Sequence, residues 1–201
     1  MTFSFSSSRS ATRVLVGSAA AVALVLPATA FAQSVHHADP AKDVQRSSAN
    51  HVSNAPRNRA ADIVHVAITH DADAVTTRIT LRHLALKSWA YVSQIHTPTA
   101  TYLVTGHHGG GLTQFLLENG SGTRTVTCPG LGHTVRAASN RLIVAVPDTC
   151  LKDPSWVRVG VGYAVPIGSG TTVYADDALR TAGVHEKHLT LSRRLRQSSR
   201  W

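Results

Sequence analysis

Residues 141–165 read RLIVAVPDTCLKDPSWVRVGVGYAV, and this stretch decides the fold. From residue 156 onward, valines and a tyrosine alternate with Trp156, an arginine and two glycines, which is the period of a half-buried strand. Residues 141–146 predict a partner strand, and the Pro-Asp-Thr-Cys sequence between the two is typical of a turn. Gly160 and Gly162 would leave a flat outer face for another backbone or a ligand, although sheet-on-sheet packing is the simpler interpretation.

The two cysteines, Cys128 and Cys150, flank the first of these strands. Two cysteines in an exported chain pair most simply with each other. By closing a loop, the disulfide would stabilise the folded state by about 3 kcal/mol. Free thiols and a metal site are the alternatives. Because neither cysteine has a second ligand at C-x-x-C spacing, the sequence favours the disulfide.

Similar alternation recurs on both sides of this stretch, with turn residues between the runs. The predicted strands cover residues 64–68, 75–81, 89–95, 101–104, 112–118, 123–128, 134–138, 141–146, 156–165 and 171–175. A capped helical turn from Asp176 and an edge strand at Leu189 and Leu191 would follow. Nine or ten short strands without strand–helix alternation predict an all-β, antiparallel β-sandwich over residues 62–192.

The sequence before residue 62 indicates that the protein is exported and contributes nothing to the predicted fold. Residues 1–32 carry Arg9 and Arg13, then an apolar run over 14–26, then a cleavage site after Ala32. This is the layout of a signal peptide, with an uncleaved anchor as the alternative, so we expect a secreted protein without a later membrane span. Residues 33–61 contain no Leu, Ile or aromatic residue, which predicts a disordered linker.

The formal charge of the chain is +9, and removal of a leader with two basic and no acidic residues leaves +7. That charge favours polyanionic partners such as acidic wall polymers, anionic lipids or nucleic acid, with solubility alone as the other interpretation. The predicted tail, residues 193–201, would contact polyanions through its arginines: Arg193, Arg194, Arg196 and Arg200.

Patterns for catalysis are weak. The sequence has no G-x-S-x-G, no phosphate-binding loop and no dinucleotide fingerprint, and its two glutamates do not suggest a glycosidase pair. We therefore expect no enzyme activity and no cofactor.

Metal binding remains an alternative because the chain has 12 histidines. His107 and His108 precede three glycines, and in a glycine loop they would converge on zinc, as a metal-dependent hydrolase would require. Calcium is the second option, since Asp71 lies two residues from Asp73 and Asp176 is next to Asp177. Turn and cap roles account for these aspartates equally well.

Residues 141–147 (RLIVAVP), Cys150-Leu151 and residues 156–159 (WVRV) are similar to strands of DOMON-like and related carbohydrate-binding sandwiches of secreted bacterial proteins. The resemblance covers residues 62–178. It implies sugar binding, for which Trp156 is the candidate aromatic contact. Haem-binding members use Met and His as axial ligands, and Met1 is the only methionine here, so the resemblance implies no haem site.

The sequence thus predicts a secreted, non-catalytic binding domain for cell-wall or extracellular polysaccharide. The alternatives are an interaction protein that docks acidic surfaces through its basic tail, and a metal-dependent hydrolase.

Overall fold

A computed structural model describes residues 32–49, 51–168, 170–181 and 188–198. The predicted signal peptide, apart from Ala32, lies outside these residues, as do Gly183 and Arg200. The described strands are β1 (Gln33–Ala38), β2 (Gln45–Ser48), β3 (His51–Asn54), β4 (Ile63–His70), β5 (Ala74–Leu81), β6 (Ser88–His96), β7 (Thr101–Gly109), β8 (Leu112–Asn119), β9 (Thr125–Val126), β10 (Gly132–Arg136), β11 (Arg141–Pro147), β12 (Trp156–Ile167), β13 (Thr172–Asp177) and β14 (Leu195–Arg196). Two short 3₁₀ helices, Ala137–Ser139 and Asp148–Leu151, flank β11.

The strands form two antiparallel sheets. The first sheet has the order β1-β4-β5-β11-β10. The second has the order β3-β2-β13-β12-β6-β7-β8-β9, and β14 pairs with the free half of β12. The predicted all-β, antiparallel sandwich is confirmed.

The core lies between the sheets, where alternate side chains of each strand are buried. Val159, Val161 and Tyr163 of β12 are at most 1% exposed, and the apolar residues of β5 and β11 face them from the other sheet. A hydrogen bond of 2.6 Å joins Thr77 Oγ1 on β5 to the hydroxyl of Tyr91 on β6. Apolar burial of this extent is the main force that holds the two sheets together.

The outer face of β12 is covered by residues 188–198, which we call the C-terminal segment. A Cβ atom on Gly160 would lie 2.7 Å from Leu189 Cβ and 2.8 Å from Thr190 O. Ser192 Oγ accepts a hydrogen bond from Val159 N at 3.0 Å. The glycines of β12 therefore admit another backbone, which is one of the two approaches that the sequence predicted.

The prediction of a disordered linker over residues 33–61 is wrong. This region supplies β1, which pairs with β4 along its whole length, and β2 and β3, which extend the second sheet beyond β13. β1 and β3 lie at sheet edges, and β2 pairs with β3 and β13 next to one of these edges. These polar strands are held by backbone hydrogen bonds more than by apolar burial. The fully buried apolar residues of this region are Val44 and Ala61.

The predicted boundary of a basic tail at residue 193 is also wrong. Leu195 is fully buried and pairs with Val157, so this part of the chain belongs to the sandwich. The predicted helical turn at Asp176 is replaced by the end of β13, and the expected edge strand at Leu189 forms instead at Leu195–Arg196.

The predicted disulfide is confirmed. Cys128 and Cys150 are bonded, with their Cα atoms 5.3 Å apart, so the loop after β9 is tied to the 3₁₀ helix that follows β11. Among the described residues, no helix has the length and apolar character needed to cross a bilayer.

Candidate metal centre

Five of the eleven acidic residues meet where the first sheet passes into the second. We call them the acidic cluster: Asp39, Asp43, Asp62, Asp176 and Asp177. Asp39 follows β1, Asp43 precedes β2, Asp62 precedes β4, and the last two end β13. The turn from β1 to β2 crosses between the sheets, which brings these distant positions together.

Three carboxylates of the cluster converge on one point. Asp39, Asp43 and Asp176 each offer an oxygen, and these oxygens lie within 4.8 Å of one another. The side chains of Asp39 and Asp176 are 6% and 1% exposed, and that of Asp43 is half-buried. Calcium binds oxygens at about 2.3–2.6 Å, so oxygens around one Ca²⁺ are separated by no more than about 5 Å.

Some carboxylates of the acidic cluster accept hydrogen bonds and others accept none. Asp176 accepts one bond from Ile63 N and one from Asp177 N, both of 2.9 Å. Asp62 Oδ2 accepts from Lys42 N at 3.0 Å and forms an ion pair with Arg82. By contrast, both oxygens of Asp39 and both oxygens of Asp43 are buried without a hydrogen-bond partner in the described part of the chain.

An unpartnered buried carboxylate is costly, because desolvation of a charge is offset only by a counter-charge or by hydrogen bonds. Asp39 has neither, and its carboxylate is directed at two other carboxylates. This arrangement makes the acidic cluster a candidate cation site.

The electrostatics agree with the geometry. Burial, and then the nearby carboxylates of the cluster, raise the pKa of Asp39 to about 9. Burial raises the pKa of Asp176 to about 7, although hydrogen bonds from backbone N–H groups lower it. Burial also raises the pKa values of Asp43 and Asp177. A divalent cation would reverse this effect and keep all of these carboxylates ionised.

The donor set defines the kind of metal. All three converging ligands are carboxylate oxygens, which suit a hard cation such as Ca²⁺ and not zinc, whose structural sites use Cys and His. Three protein oxygens leave room for water or backbone carbonyls in a shell of six to eight.

The prediction of zinc at His107 and His108 does not match the structure. Both residues belong to β7, because the glycine loop begins only at Gly110, and neighbouring strand residues point to opposite faces. His107 is exposed, while His108 lies 2.8 Å from Thr113 Oγ1 and 3.1 Å from Leu86 O. The His108 ring also stacks on Trp89, so its two nitrogens and one face are occupied.

The other predicted contacts are separate from the cluster. Trp156 is half-buried at the start of β12, and the guanidinium of Arg194 lies 4.4 Å from its ring centroid. Arg193 Nη2 donates to Ser34 O at 2.9 Å, and Arg196 N donates to Gln33 Oε1 at 2.7 Å. Arg193, Arg194 and Arg196 are exposed yet partly held by the sandwich, and sugar stacking on Trp156 stays a prediction.

A second buried carboxylate, Asp148, has a different environment. Its Oδ2 lies 3.2 Å from His70 Nε2 and accepts from Gln197 Nε2 at 2.7 Å, while His70 Nδ1 lies 3.1 Å from Leu195 O. Burial disfavours the charged imidazole, but the hydrogen bonds to Asp148 and Leu195 outweigh it and raise the pKa of His70. This pair ties β4 and the 3₁₀ helix to the C-terminal segment.

Comparison with protein-family models, with curated proteins and with solved structures finds no match. The resemblance to DOMON-like and carbohydrate-binding sandwiches therefore stays a prediction.

Proposed function

We propose that this protein is an extracellular, non-catalytic β-sandwich module that binds one Ca²⁺ through Asp39, Asp43 and Asp176. The observation that carries the proposal is the Asp39 carboxylate, which is 6% exposed, has no hydrogen-bond partner and is directed at two further carboxylates. A bound cation supplies the missing partner.

The position of the site suggests what the cation does. Asp39 follows a strand of the first sheet, whereas Asp176 belongs to the second, and Asp176 Oδ2 already accepts a hydrogen bond from Ile63 N of the first. An ion held by both would fasten the two sheets at this end. The disulfide Cys128–Cys150 and the predicted signal peptide favour an oxidising compartment outside the cell, where modules with Kd values of about 10⁻⁴–10⁻³ M for Ca²⁺ are occupied.

Burial also supports a structural role over a catalytic one. The two carboxylates with the highest pKa values, Asp39 and Asp176, are 6% and 1% exposed. A glycosidase pair lies across an open cleft that a sugar can enter. These carboxylates are enclosed instead, as the ligands of a structural ion would be.

Thermal unfolding of the mature chain, from residue 33, tests the proposal in EDTA, Ca²⁺ and Mg²⁺. At a Ca²⁺ concentration 100 times Kd we expect the midpoint to rise by about 5–10 °C, which corresponds to about 2.7 kcal/mol. D39N/D43N should lose this response, and D153N, at an exposed aspartate, should keep it. The proposal fails if 10 mM Ca²⁺ at pH 8, on the order of 10 times the weakest expected Kd, leaves the midpoint of the native chain unchanged.

A further inference from the structure

The outer face of the first sheet carries a continuous positive surface. One cationic or ionisable side chain comes from each of its five strands, and we call this set the basic face: His36, His65, Arg78, Arg136 and Arg141. The three arginines and His36 are exposed, and His65 is half-buried.

The register places these residues in two adjacent rows. Arg136 pairs with Arg141, which pairs with Thr80, which pairs with His65. In the next row, Arg78 pairs with Ala67, which pairs with His36. At about 4.8 Å between strands, the basic face spans about 19 Å.

The residues are close enough to interact. The rings of His36 and His65 have centroids 5.9 Å apart. Burial, and then the positive charges of His36, Arg141, His37 and Arg78, lower the pKa of His65. The charged side chains that act on His65 are therefore cationic.

The arginines of the basic face have no partner among the described residues. No hydrogen bond or ion pair involves the guanidinium groups of Arg78, Arg136 and Arg141 in the part of the chain that is described. The other strand positions of this face are small or neutral side chains: Ser34, Ala38, Ala67, Thr69, Ala74, Thr76, Thr80, Gly132, Thr134, Ile143, Ala145 and Pro147. The acidic turn at Asp71 and Asp73 lies beyond the second row, while Asp39, which follows the Ala38 that pairs with His65, is buried in the acidic cluster.

We propose that the basic face is a docking surface for a linear anionic polysaccharide. The proposal is independent of the Ca²⁺ site. A flat surface of separate charges cannot enclose a small anion, but it can contact successive carboxylate or sulfate groups along a polymer, and complementary charge favours that contact.

The same surface is poorly suited to other polyanions. Single-stranded nucleic acid is bound by stacking on Phe, Tyr or Trp, none of which lies on the strand positions of this face. A five-stranded sheet is too wide for the DNA major groove. The exposed large apolar side chains of the described residues are Val52, Leu86, Leu112, Val135 and Ile167. None is on this face, so it has no apolar anchor for a membrane.

Heparin, used as the probe, tests the surface through the salt dependence of binding by the mature chain with Ca²⁺ present. R78Q/R136Q/R141Q should bind at least about tenfold more weakly at 100 mM NaCl. Its affinity should also depend less steeply on salt concentration, because a variant with fewer ionic contacts releases fewer counterions on binding. The matched control R46Q/R59Q/R124Q removes the same charge from exposed positions elsewhere and should lose less than about threefold. R78K/R136K/R141K retains the charge and should bind nearly as well as the native chain.

Three results would overturn the proposal: no binding of heparin at 50 mM NaCl, equal losses in the face and control variants, or a larger loss in R193Q/R194Q/R196Q, which would assign binding to the tail. Tighter binding of duplex DNA or of phosphatidylglycerol vesicles than of heparin would also overturn it. Unchanged midpoints of thermal unfolding are required of every variant that is compared.

Discussion

The molecule buries two carboxylates in contrasting ways. Asp148 is fully buried, and its Oδ2 has His70 and Gln197 as partners. Asp39 is 6% exposed and faces only other carboxylates. Burial alone therefore does not separate a structural acid from a ligand-binding one, whereas the presence or absence of a counter-charge does.

The largest expected effect is at Asp148, the carboxylate that has a counter-charge. D148N removes the counter-charge of a fully buried His70, and breaking a buried pair in this way costs about 3–5 kcal/mol. Because the pKa of His70 is raised on folding, the stability that the pair supplies is present at low pH and is lost as pH rises through that pKa. Urea unfolding of D148N and the native chain at pH 5 and pH 9 measures this, and an equal cost at both pH values would contradict it.

At Asp39, which has no counter-charge, the same substitution should act in the opposite direction. Without metal, D39N removes a carboxyl that ionises unfavourably, so the free energy of unfolding in EDTA at pH 8 should rise by roughly 2–4 kcal/mol. In Ca²⁺ the ranking should reverse, because the native chain gains a ligand that D39N lacks. Denaturant curves with and without Ca²⁺ provide the test, and destabilisation by D39N in EDTA would make Asp39 an ordinary structural acid.

The pH dependence of Ca²⁺ binding distinguishes the two sites further. With pKa values of about 9 for Asp39 and about 7 for Asp176, Ca²⁺ must displace one proton between pH 7 and 9 and two below pH 7. The apparent affinity should therefore rise about tenfold per pH unit in the upper range and more steeply in the lower. Calorimetry in buffers of different ionisation enthalpy counts the released protons, and affinity that is independent of pH would exclude these ligands.

The same two pKa values determine whether the free energy of unfolding rises or falls with pH. Both carboxyls have raised pKa values in the folded state, so in EDTA their contribution is present below about pH 4 and is lost as pH rises through 7 and 9. Saturating Ca²⁺ should remove most of this loss.

The smallest effect is expected at the rim of the cluster. Asp43 is half-buried, so D43N should weaken Ca²⁺ binding by about tenfold while it changes the unfolding free energy in EDTA by less than about 1 kcal/mol. D153N should change neither quantity. A loss of binding as complete as in D39N would mean that Asp43 is as central a ligand as Asp39.

Alternating apolar residues were sufficient to predict the strands between residues 63 and 177, because their inner side chains are the core. Alternation does not reveal β1, β2 and β3, because these polar strands, two of them at sheet edges, pair through their backbones and need no apolar face. The sequence QSVHHA of β1 contains only one large apolar residue, Val35, yet it completes the first sheet.

The acidic cluster could be predicted only in part. Asp176 and Asp177 were noted as possible calcium ligands, but Asp39 and Asp43 lay in a region interpreted as a linker. The available signals were the close spacing of Asp39 and Asp43 in the sequence and the proline that follows Asp39. The convergence itself depends on the turn from β1 to β2 crossing between the sheets, which spacing in the chain does not encode. The prediction for His107 and His108 failed for the converse reason, because β7 extends to Gly109, five residues beyond the predicted strand end at residue 104.

The C-terminal segment has a consequence for how the protein is made. Residues 189–197 cover Gly160, contact His70 through Leu195 O and contact Asp148 through Gln197. They follow in sequence all of the strands from β1 to β13, so a chain that has not yet placed them holds an incomplete sandwich with an imidazole and a carboxylate still open to water. Completion of the fold therefore depends on a late segment of the chain, and a chain truncated before residue 189 would remain a substrate for chaperones and proteases.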